Sequence, residues 1–426
     1  MTLATYSSFE GYKPTGIDWQ SHTPQHWDVK PIMAVARVIS ENNQPGLELL
    51  SVYLGQGVVR FSDVDEKRTN ATSVDLSKYQ IVRPGNLVLN NQQAWRGSVG
   101  VARNTGIVSP AYIVLDLGEN FDPVFADYYY RTSTTVSHFL VSSKGVGTIQ
   151  RNLYWSALRR CPVTIPPRPE QRVIAAFLDE KCAKLDEAVR IKQEQIALLR
   201  ERRQILIQQA VTRGLNPEAP MKDSGVEWIG EIPAHWEVKR NKHMFVEVNE
   251  RSAKGTEQHL SMSQKLGLVP ADLVEKSLVS ESYEGAKLVQ PGDLVLNRLK
   301  AHLAVFSLAP MEGLVSPDYS VFRPFITGAS SRYFEALFKT SVYLGEFRLR
   351  VRGIVEGFFR LYTDSFMDVP LVIPPQHEQS EITDHLEKMS VQFEDAIAMK
   401  EQQIAALKEY RTNLVDAAVT GKIKLA

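Results

Sequence analysis

The most regular pattern in the chain is a seven-residue repeat of apolar positions that occurs twice. It runs through residues 169–212 and 377–420, which are rich in Glu, Gln, Lys, Arg, Ala and Leu and lack Gly and Pro after the first turn. Apolar positions separated alternately by three and four residues are typical of helices that pair with another helix. We therefore predict two long helices, each about 60 Å long at 1.5 Å per residue.

Both heptad patterns are interrupted by cations at matching positions. Lys192 and Arg203 lie in the first seam, and Lys400 and Arg411 lie 208 residues later in the second. Polar seam residues weaken a helix pair but define its register, so we expect the two helices to pair in one defined way. The alternative is that each helix packs on its own globule. The candidates for helix pairing and partner docking are Leu178, Leu185, Lys192, Leu199, Arg203, Leu206, Leu386, Phe393, Lys400, Leu407, Arg411 and Leu414.

The residues that precede each helix are duplicated as well. The block Thr15–Lys30 returns as Ser224–Lys239, and further blocks return in the same order at offsets of 207 to 210 residues. A solenoid unit is only roughly 20 to 50 residues long, so each copy should be a domain in itself. We predict globular domains at 1–168 and 216–376, followed by helices at 169–215 and 377–426.

The globular copies alternate short β-rich runs with turns that contain Gly, Pro, Asn or Ser, a pattern that predicts an α/β or α+β domain. Asn86–Asn90 and Tyr112–Leu115 are two such runs. Each copy ends at Ile-Pro-Pro, residues 165–167 and 373–375, where the prolines stop a strand before the helix begins.

The composition limits the binding partners and the cellular location that we expect for the protein. Lys+Arg and Asp+Glu number 49 each, which argues against an indiscriminate polyanion binder but leaves room for a local basic face. Cys161 and Cys182 offer no paired spacing, so we expect reduced thiols. We find neither a signal-peptide pattern in Met1–Glu10 nor the roughly 18 apolar residues of a membrane span. We expect a cytoplasmic protein with no membrane-embedded part.

A search for catalytic motifs finds no cofactor turn, phosphate-binding lysine loop, zinc motif or base-methylation motif. The pairs His26-Trp27 and His235-Trp236 have no second metal ligand nearby. A buried tryptophan with a hydrogen-bonded histidine is therefore favoured there over a metal or stacking site. We predict no metal, no cofactor and no catalysis in this chain.

The two copies share a frame but differ in the polar loops that follow it. Val82–Asn90 matches Val289–Asn297, yet the next six residues are Asn-Gln-Gln-Ala-Trp-Arg in one copy and Arg-Leu-Lys-Ala-His-Leu in the other. Such amides and cations can read base edges and contact phosphates, although ordinary solvated loops would look the same. The candidate DNA-binding residues are Tyr53, Gln56, Gln92, Gln93, Trp95, Arg96, Lys144, Arg151, Gln264, Lys265, Arg298, Lys300, His302, Arg348, Arg350 and Arg352.

A basic run in the second copy, Arg348–Arg352, alternates arginine with apolar residues. In a strand, this alternation would place three guanidinium groups on one face. The corresponding part of the first copy has only two cations, Lys144 and Arg151. Either phosphate contacts or a solvated basic face would explain the run.

The order globule, long helix, globule, long helix resembles the specificity subunit of type I restriction-modification enzymes over nearly the whole chain. The first copy departs from the usual opening at Gln20–Thr23, where the second copy keeps Ile-Gly-Glu-Ile. The motifs that carry the resemblance are Asp18-Trp19, Pro24–Trp27, Ile165–Gln171, Glu227–Pro233, His235-Trp236 and Ile373–Gln379.

The resemblance implies two target recognition domains, each of which reads one half of a bipartite, asymmetric double-stranded DNA sequence. The helices would form an antiparallel, coiled-coil-like spacer pair with pseudo-two-fold symmetry, and would set a half-site spacing of roughly 34 Å. The resemblance implies no catalysis in this chain. Two methyltransferase (modification) subunits would supply S-adenosylmethionine-dependent methylation of adenine N6. Restriction subunits would supply translocation and cleavage with ATP and Mg.

Two other functions remain open at this point. A scaffold with two protein-binding globules would have the same layout, and strong salt dependence of duplex binding would argue against it. The second is a DNA-modifying enzyme, and the absence of the usual catalytic motifs from the sequence argues against it. Binding of S-adenosylmethionine by the isolated chain would favour it.

Overall fold

The structure is a computed structural model that describes residues 6–64, 75–145, 151–264, 266–274, 282–324, 331–353 and 359–425. The first repeat contains β1 (Tyr12–Ile17), β2 (Gln20–Pro24), β3 (Asp28–Pro31), β4 (Arg37–Ile39), β5 (Leu50–Tyr53), β6 (Gly57–Arg60), β7 (Gln80–Val82), β8 (Asn86–Asn90), β9 (Val99–Val101), β10 (Gly106–Val108), β11 (Tyr112–Asp116), α1 (Pro123–Tyr130), α2 (Ser133–Val141), β12 (Ser143–Lys144), β13 (Asn152–Leu153), α3 (Trp155–Leu158), β14 (Pro162–Ile165) and α4 (Arg168–Arg213).

The second repeat has a closely matching series of elements. It contains β15 (Met221–Asp223), β16 (Glu231–Pro233), β17 (Glu237–Arg240), β18 (Phe245–Val248), β19 (Leu260–Ser263), β20 (Gly267–Pro270), β21 (Lys287–Val289), β22 (Leu294–Asn297), β23 (Phe306–Leu308), β24 (Gly313–Val315), β25 (Tyr319–Pro324), α5 (Ser331–Phe338), α6 (Ser341–Arg350), β26 (Arg352–Gly353), β27 (Phe359–Arg360), α7 (Thr363–Met367), β28 (Pro370–Ile373) and α8 (Gln376–Val419). Both predicted long helices are therefore present, as α4 and α8.

Each globular part is organised around a four-stranded antiparallel sheet. The strand order is β4-β11-β8-β9 in the first part and β18-β25-β22-β23 in the second. In β8, Leu87 and Leu89 pack in the large cluster with the helices, whereas Val88 packs in a small cluster with β5 and β10. Because both faces of β8 are covered, the strand is almost continuously apolar. The predicted mixed fold is confirmed.

The chain divides into two compact units, residues 1–193 with 401–426 and residues 194–400. Each unit combines one globular part, the first half of its own long helix and the last part of the other long helix. The predicted seam positions of both helices are buried or half-buried throughout. In each unit, therefore, the apolar stripe of one helix packs against the other.

Ion pairs reveal the direction of the helix pairing. In the first unit, Nε of Arg411 lies 3.2 Å from a carboxylate oxygen of Asp186. In the second unit, Arg203 lies 3.4 Å both from a carboxylate oxygen of Glu394 and from the hydroxyl of Ser390. In both units the earlier residues of one helix face the later residues of the other. The predicted antiparallel pair is confirmed, and each seam arginine has a partner on the facing helix.

A buried tryptophan joins the start of α4 to the first globular part. Trp27 is fully buried, and its Nε1 donates to Oε1 of Glu170 in the first turn of the helix, at 3.1 Å. Nε2 of His26 lies 2.8 Å from the other carboxylate oxygen. The amide of Gln171 donates to the main-chain oxygens of Asn120 and Pro166, both at 2.9 Å. The preference for a buried tryptophan with a hydrogen-bonded histidine is confirmed.

The second unit repeats this arrangement with its own residues. Nε1 of Trp236 donates to one carboxylate oxygen of Glu378 at 2.9 Å, and Nε2 of His235 lies 2.5 Å from the other. We call this set of histidine, tryptophan and glutamate the clamp. The two clamps connect the two motifs that recur in the sequence, although about 140 residues separate those motifs in each copy.

Each clamp tryptophan also meets the end of the other long helix. Gly421 ends α8 at φ 75°, and a Cβ there would clash with Pro24 and approach Trp27 to 3.1 Å. Gly214 ends α4 at φ 76°, and its Cβ would lie 3.1 Å from Trp236. These glycines close the recurring sequences Ala-Val-Thr-Arg-Gly and Ala-Val-Thr-Gly, a signal that the sequence analysis missed.

The basic run Arg348–Arg352 is not one strand, so the prediction of three guanidinium groups on one strand face is wrong. Its first two arginines lie in the last turn of α6, and the third begins β26. The side chain of Thr340 caps α6 at the amide of Tyr343. Tyr343 and Phe347 are both fully buried in an aromatic cluster. Apolar residues four apart on one helix face decided the local structure.

His138 of α2 is a buried imidazole without a compensating charge. It is 3% exposed and lies edge-on to the ring of Trp19, with 4.8 Å between ring centroids. Its Nε2 has no hydrogen-bond partner among the described residues. Burial lowers the pKa of the imidazole to about 4.

Replacing Gly421 by Ala should lower the free energy of unfolding by roughly 2–4 kcal/mol, because the added Cβ is strained at positive φ and also collides with Pro24. Gly16→Ala is the matched control in the same unit, since Gly16 has φ 74° and no atom within 4 Å of its Cβ position. It should cost only about 1–2 kcal/mol. Denaturant titrations of both variants measure the difference, and equal losses would contradict the proposed packing of the helix end.

Acid should destabilise the protein through His138. The folded state favours the neutral ring, so this contribution is fully present above about pH 6.5 and is lost as pH falls towards 4, by up to about 3 kcal/mol. His138→Gln should remove this part of the pH dependence. The check is the free energy of unfolding of both proteins between pH 7 and pH 4. Parallel curves would show that His138 does not titrate in this way.

Candidate nucleic-acid interface

The loop after the central strand has the same backbone frame in both repeats. A short 3-10 turn follows β8 at Ala94–Arg96 and follows β22 at Ala301–Leu303. The next residue is left-handed in both, Gly97 at φ 99° and Ala304 at φ 61°. The positions of the two turns therefore correspond at a shift of 207 residues, with Arg96 matching Leu303.

A two-stranded hairpin lies beside each turn. The amide of Leu153 in β13 donates to the main-chain oxygen of Asn91 at 2.8 Å. In the second repeat, the amide of Leu361, which follows β27, donates to the main-chain oxygen of Arg298 at 3.0 Å. The hairpin and the turn thus form one surface in each globular part.

In the first globular part this surface gathers three of the predicted residues, Trp95, Arg96 and Arg151. Nε1 of Trp95 donates to the main-chain oxygen of Gln92 at 2.9 Å. The guanidinium carbons of Arg96 and Arg151 lie 4.6 and 5.9 Å from the ring centroid of Trp95. We call these three residues the Trp95 cluster. Lys144 is exposed on β12, the strand that pairs with β13 beside Arg151.

The β5–β6 hairpin supplies two further candidates of the first part. Gln56 is exposed at its tip, and Tyr53 is half-buried at the end of β5, where it pairs with Gly57 beside the turn. The guanidinium of Arg131 holds the tip by donating to the main-chain oxygen of Gly55. Gln93 is half-buried and its main-chain oxygen accepts the amides of Arg96 in the 3-10 turn and of Ser98 after it, so it supports the turn.

In the second globular part, several candidate arginines already have partners. Arg298 donates to a main-chain oxygen at 2.8 Å, Arg350 donates to a glutamate of its own helix at 2.6 Å, and Arg352 lies 3.3 Å from an aspartate. Arg348 is exposed. Arg298, Arg350 and Arg352 therefore already have acceptors within the protein, and Arg350 and Arg352 line one cleft.

Gln264 and Lys300 line one cleft of about 560 Å³ in the second globular part. Lys300 is exposed, and the amide of Gln264 donates to the main-chain oxygen of Leu303 at 3.5 Å. Lys265 and the side chain of His302 lie outside what the structure describes.

Two exposed apolar residues of the second candidate interface were not among the predicted residues, which are mostly polar or charged. Leu303 is 47% exposed at the position of Arg96, and Phe359 is 42% exposed at the position of Arg151. The hairpin registers give the second equivalence, because Lys144 pairs with Asn152 just as Arg352 pairs with Arg360. Aligning the two repeats residue by residue would have found both.

Within the part of the chain that the structure describes, no group of three or more His, Cys, Asp or Glu side chains gathers where it could hold a metal ion. None of the helices in the described ranges combines the length and apolar character that crossing a membrane requires.

No protein-family model matches the chain. Among solved structures, the chain resembles a chain of a type I R-M system studied for complex assembly and conformational transition. The TM-score is 0.68 at 14% sequence identity, and the match covers 94% of this chain and 99% of that one. It also resembles the HsdS subunit from Thermoanaerobacter tengcongensis, with a TM-score of 0.52, 15% identity and 94% and 98% coverage. This chain therefore has the fold of the specificity subunits of type I restriction-modification systems.

Proposed function

We propose that this chain is the DNA-binding specificity subunit of a type I restriction-modification complex. Each globular part would read one half of a bipartite, asymmetric duplex sequence, while the long helices set the spacing and dock the methyltransferase subunits. The observation that carries the proposal is the likeness over 94% of the chain to a chain of a type I system.

The interfaces support the same function on chemical grounds. One backbone frame carries Trp95 and Arg96 in the first globular part, and His302 and Leu303 at the same positions in the second. Side chains on a shared frame can contact equivalent places on two duplex segments, and unlike side chains then read unlike bases. This arrangement suits an asymmetric target.

Catalysis would belong to partner subunits under this proposal. Modification subunits would bind S-adenosylmethionine and methylate adenine, and restriction subunits would use ATP and Mg. The chain itself would bind no cofactor and would act on cellular DNA in the cytoplasm. Contacts with phosphates would make its DNA affinity fall steeply as salt concentration rises.

The deciding experiment is long-read mapping of methylated adenines in host cells that express the partner genes, with this chain intact or deleted. Deletion should abolish methylation at one bipartite motif, because the methyltransferase loses its sequence reader. An unchanged methylome would overturn the proposal and would favour the scaffold that binds proteins through both globules.

Single substitutions should separate the two half-sites. Arg96→Ala should reduce discrimination at one base pair of the first half-site, and Lys300→Ala at one of the second, by about 5- to 150-fold each. Titrations of the complex with duplexes altered in one half measure this. Thermal unfolding serves as the control for folding. An equal effect of either variant on both halves, at matched stability, would argue against domain-wise reading.

A further inference from the structure

The Trp95 cluster differs from the paired candidate arginines of the second globular part, because its two guanidinium groups contact an indole and, among the described residues, no carboxylate. Within the described ranges, neither Arg96 nor Arg151 has a carboxylate within ion-pair distance, and each contacts the ring of Trp95. Arg298 and Arg350, by contrast, donate to oxygens of the protein itself. The two cluster arginines therefore keep their donors available for an external acceptor.

Trp95 is fixed in a way that suits it to orient these arginines. Its indole N–H is used internally, at 2.9 Å from the main-chain oxygen of Gln92, so the ring does not need a donor partner in DNA. A guanidinium packed against an indole gains cation–π attraction and loses rotational freedom before any ligand arrives. The cluster thus presents two preoriented donor forks on one surface.

The second globular part has no guanidinium at the equivalent places. Leu303 replaces Arg96 and Phe359 replaces Arg151, and both apolar side chains are substantially exposed. The backbone frames agree, since in both parts a left-handed residue follows the turn and an amide in or next to the hairpin bonds to the residue three positions before the turn. The difference therefore lies in side-chain chemistry at matched positions.

We propose, building on the proposed function, that Arg96 and Arg151 bind a guanine of the first half-site through its N7 and O6 atoms. Trp95 is the positioning residue for both arginines. Guanine offers two acceptors side by side in the major groove, and a guanidinium fork is their most common specific partner. No guanidinium reads the corresponding place of the second half-site.

The test uses the full chain in complex with its modification subunits and the duplex that methylation mapping identifies. Guanines of each half-site are replaced one at a time by 7-deazaguanine, which lacks the N7 acceptor. One substitution in the first half-site should weaken binding to wild type by about tenfold. That sensitivity should disappear in Arg96→Ala and in Arg151→Ala, and should persist in Leu303→Ala.

Trp95 variants separate positioning from folding. Trp95→Phe keeps an aromatic ring and should retain the 7-deazaguanine sensitivity, whereas Trp95→Ala should lose it at unchanged melting temperature. A first half-site without guanine, or a sensitivity that survives both arginine substitutions, would overturn this inference while leaving the proposed function intact. Failure to find any bipartite motif would instead overturn the proposed function itself.

Discussion

The hydrogen bonds of the two clamp tryptophans to glutamates are the interaction on which the architecture depends. A buried indole N–H needs an acceptor, and Glu170 and Glu378 provide one from the first turn of each long helix. A carboxylate is also favourable at that end of a helix, where the free amides concentrate positive charge. In each unit the tryptophan additionally packs on the glycine that ends the other helix, so both helix termini are held against the same globular part.

The clamp and the sheet together explain why the candidate interface can be rigid in backbone yet variable in side chains. In each sheet the strand that leads to the turn is covered on both faces, and only three residues separate it from the 3-10 turn. A main-chain amide in or next to the neighbouring hairpin bonds to the main-chain oxygen of Asn91 or Arg298, three residues before the turn. Packing and backbone bonding thus define the loop, which leaves its exposed side chains free to differ between repeats.

Arginines that pair with a carboxylate of the protein have a structural role, whereas arginines without such a partner are candidates for contact with a ligand. Arg203 and Arg411 neutralise carboxylates across the helix pair, and Arg350 binds a glutamate on its own helix. These arginines already have acceptors within the protein. Because a contact with a ligand would first require breaking those bonds, it would be less favourable. Arg96 and Arg151 contact an indole instead, which orients them without consuming their donors. From composition alone, all five of these residues would count simply as arginines.

Local patterns in the sequence were enough to predict the two long helices, their polar seam positions and the mixed fold, and blocks repeated at offsets of 207 to 210 residues predicted the duplication. It failed at Arg348–Arg352, where an alternating pattern resembled a strand but buried aromatics four residues apart produced a helix. The contacts of Glu170 with Trp27 and of Arg151 with Trp95 exist only in the folded chain. Those pairs are distant in the chain, and their contacts arise from the packing of whole elements, which no local pattern records.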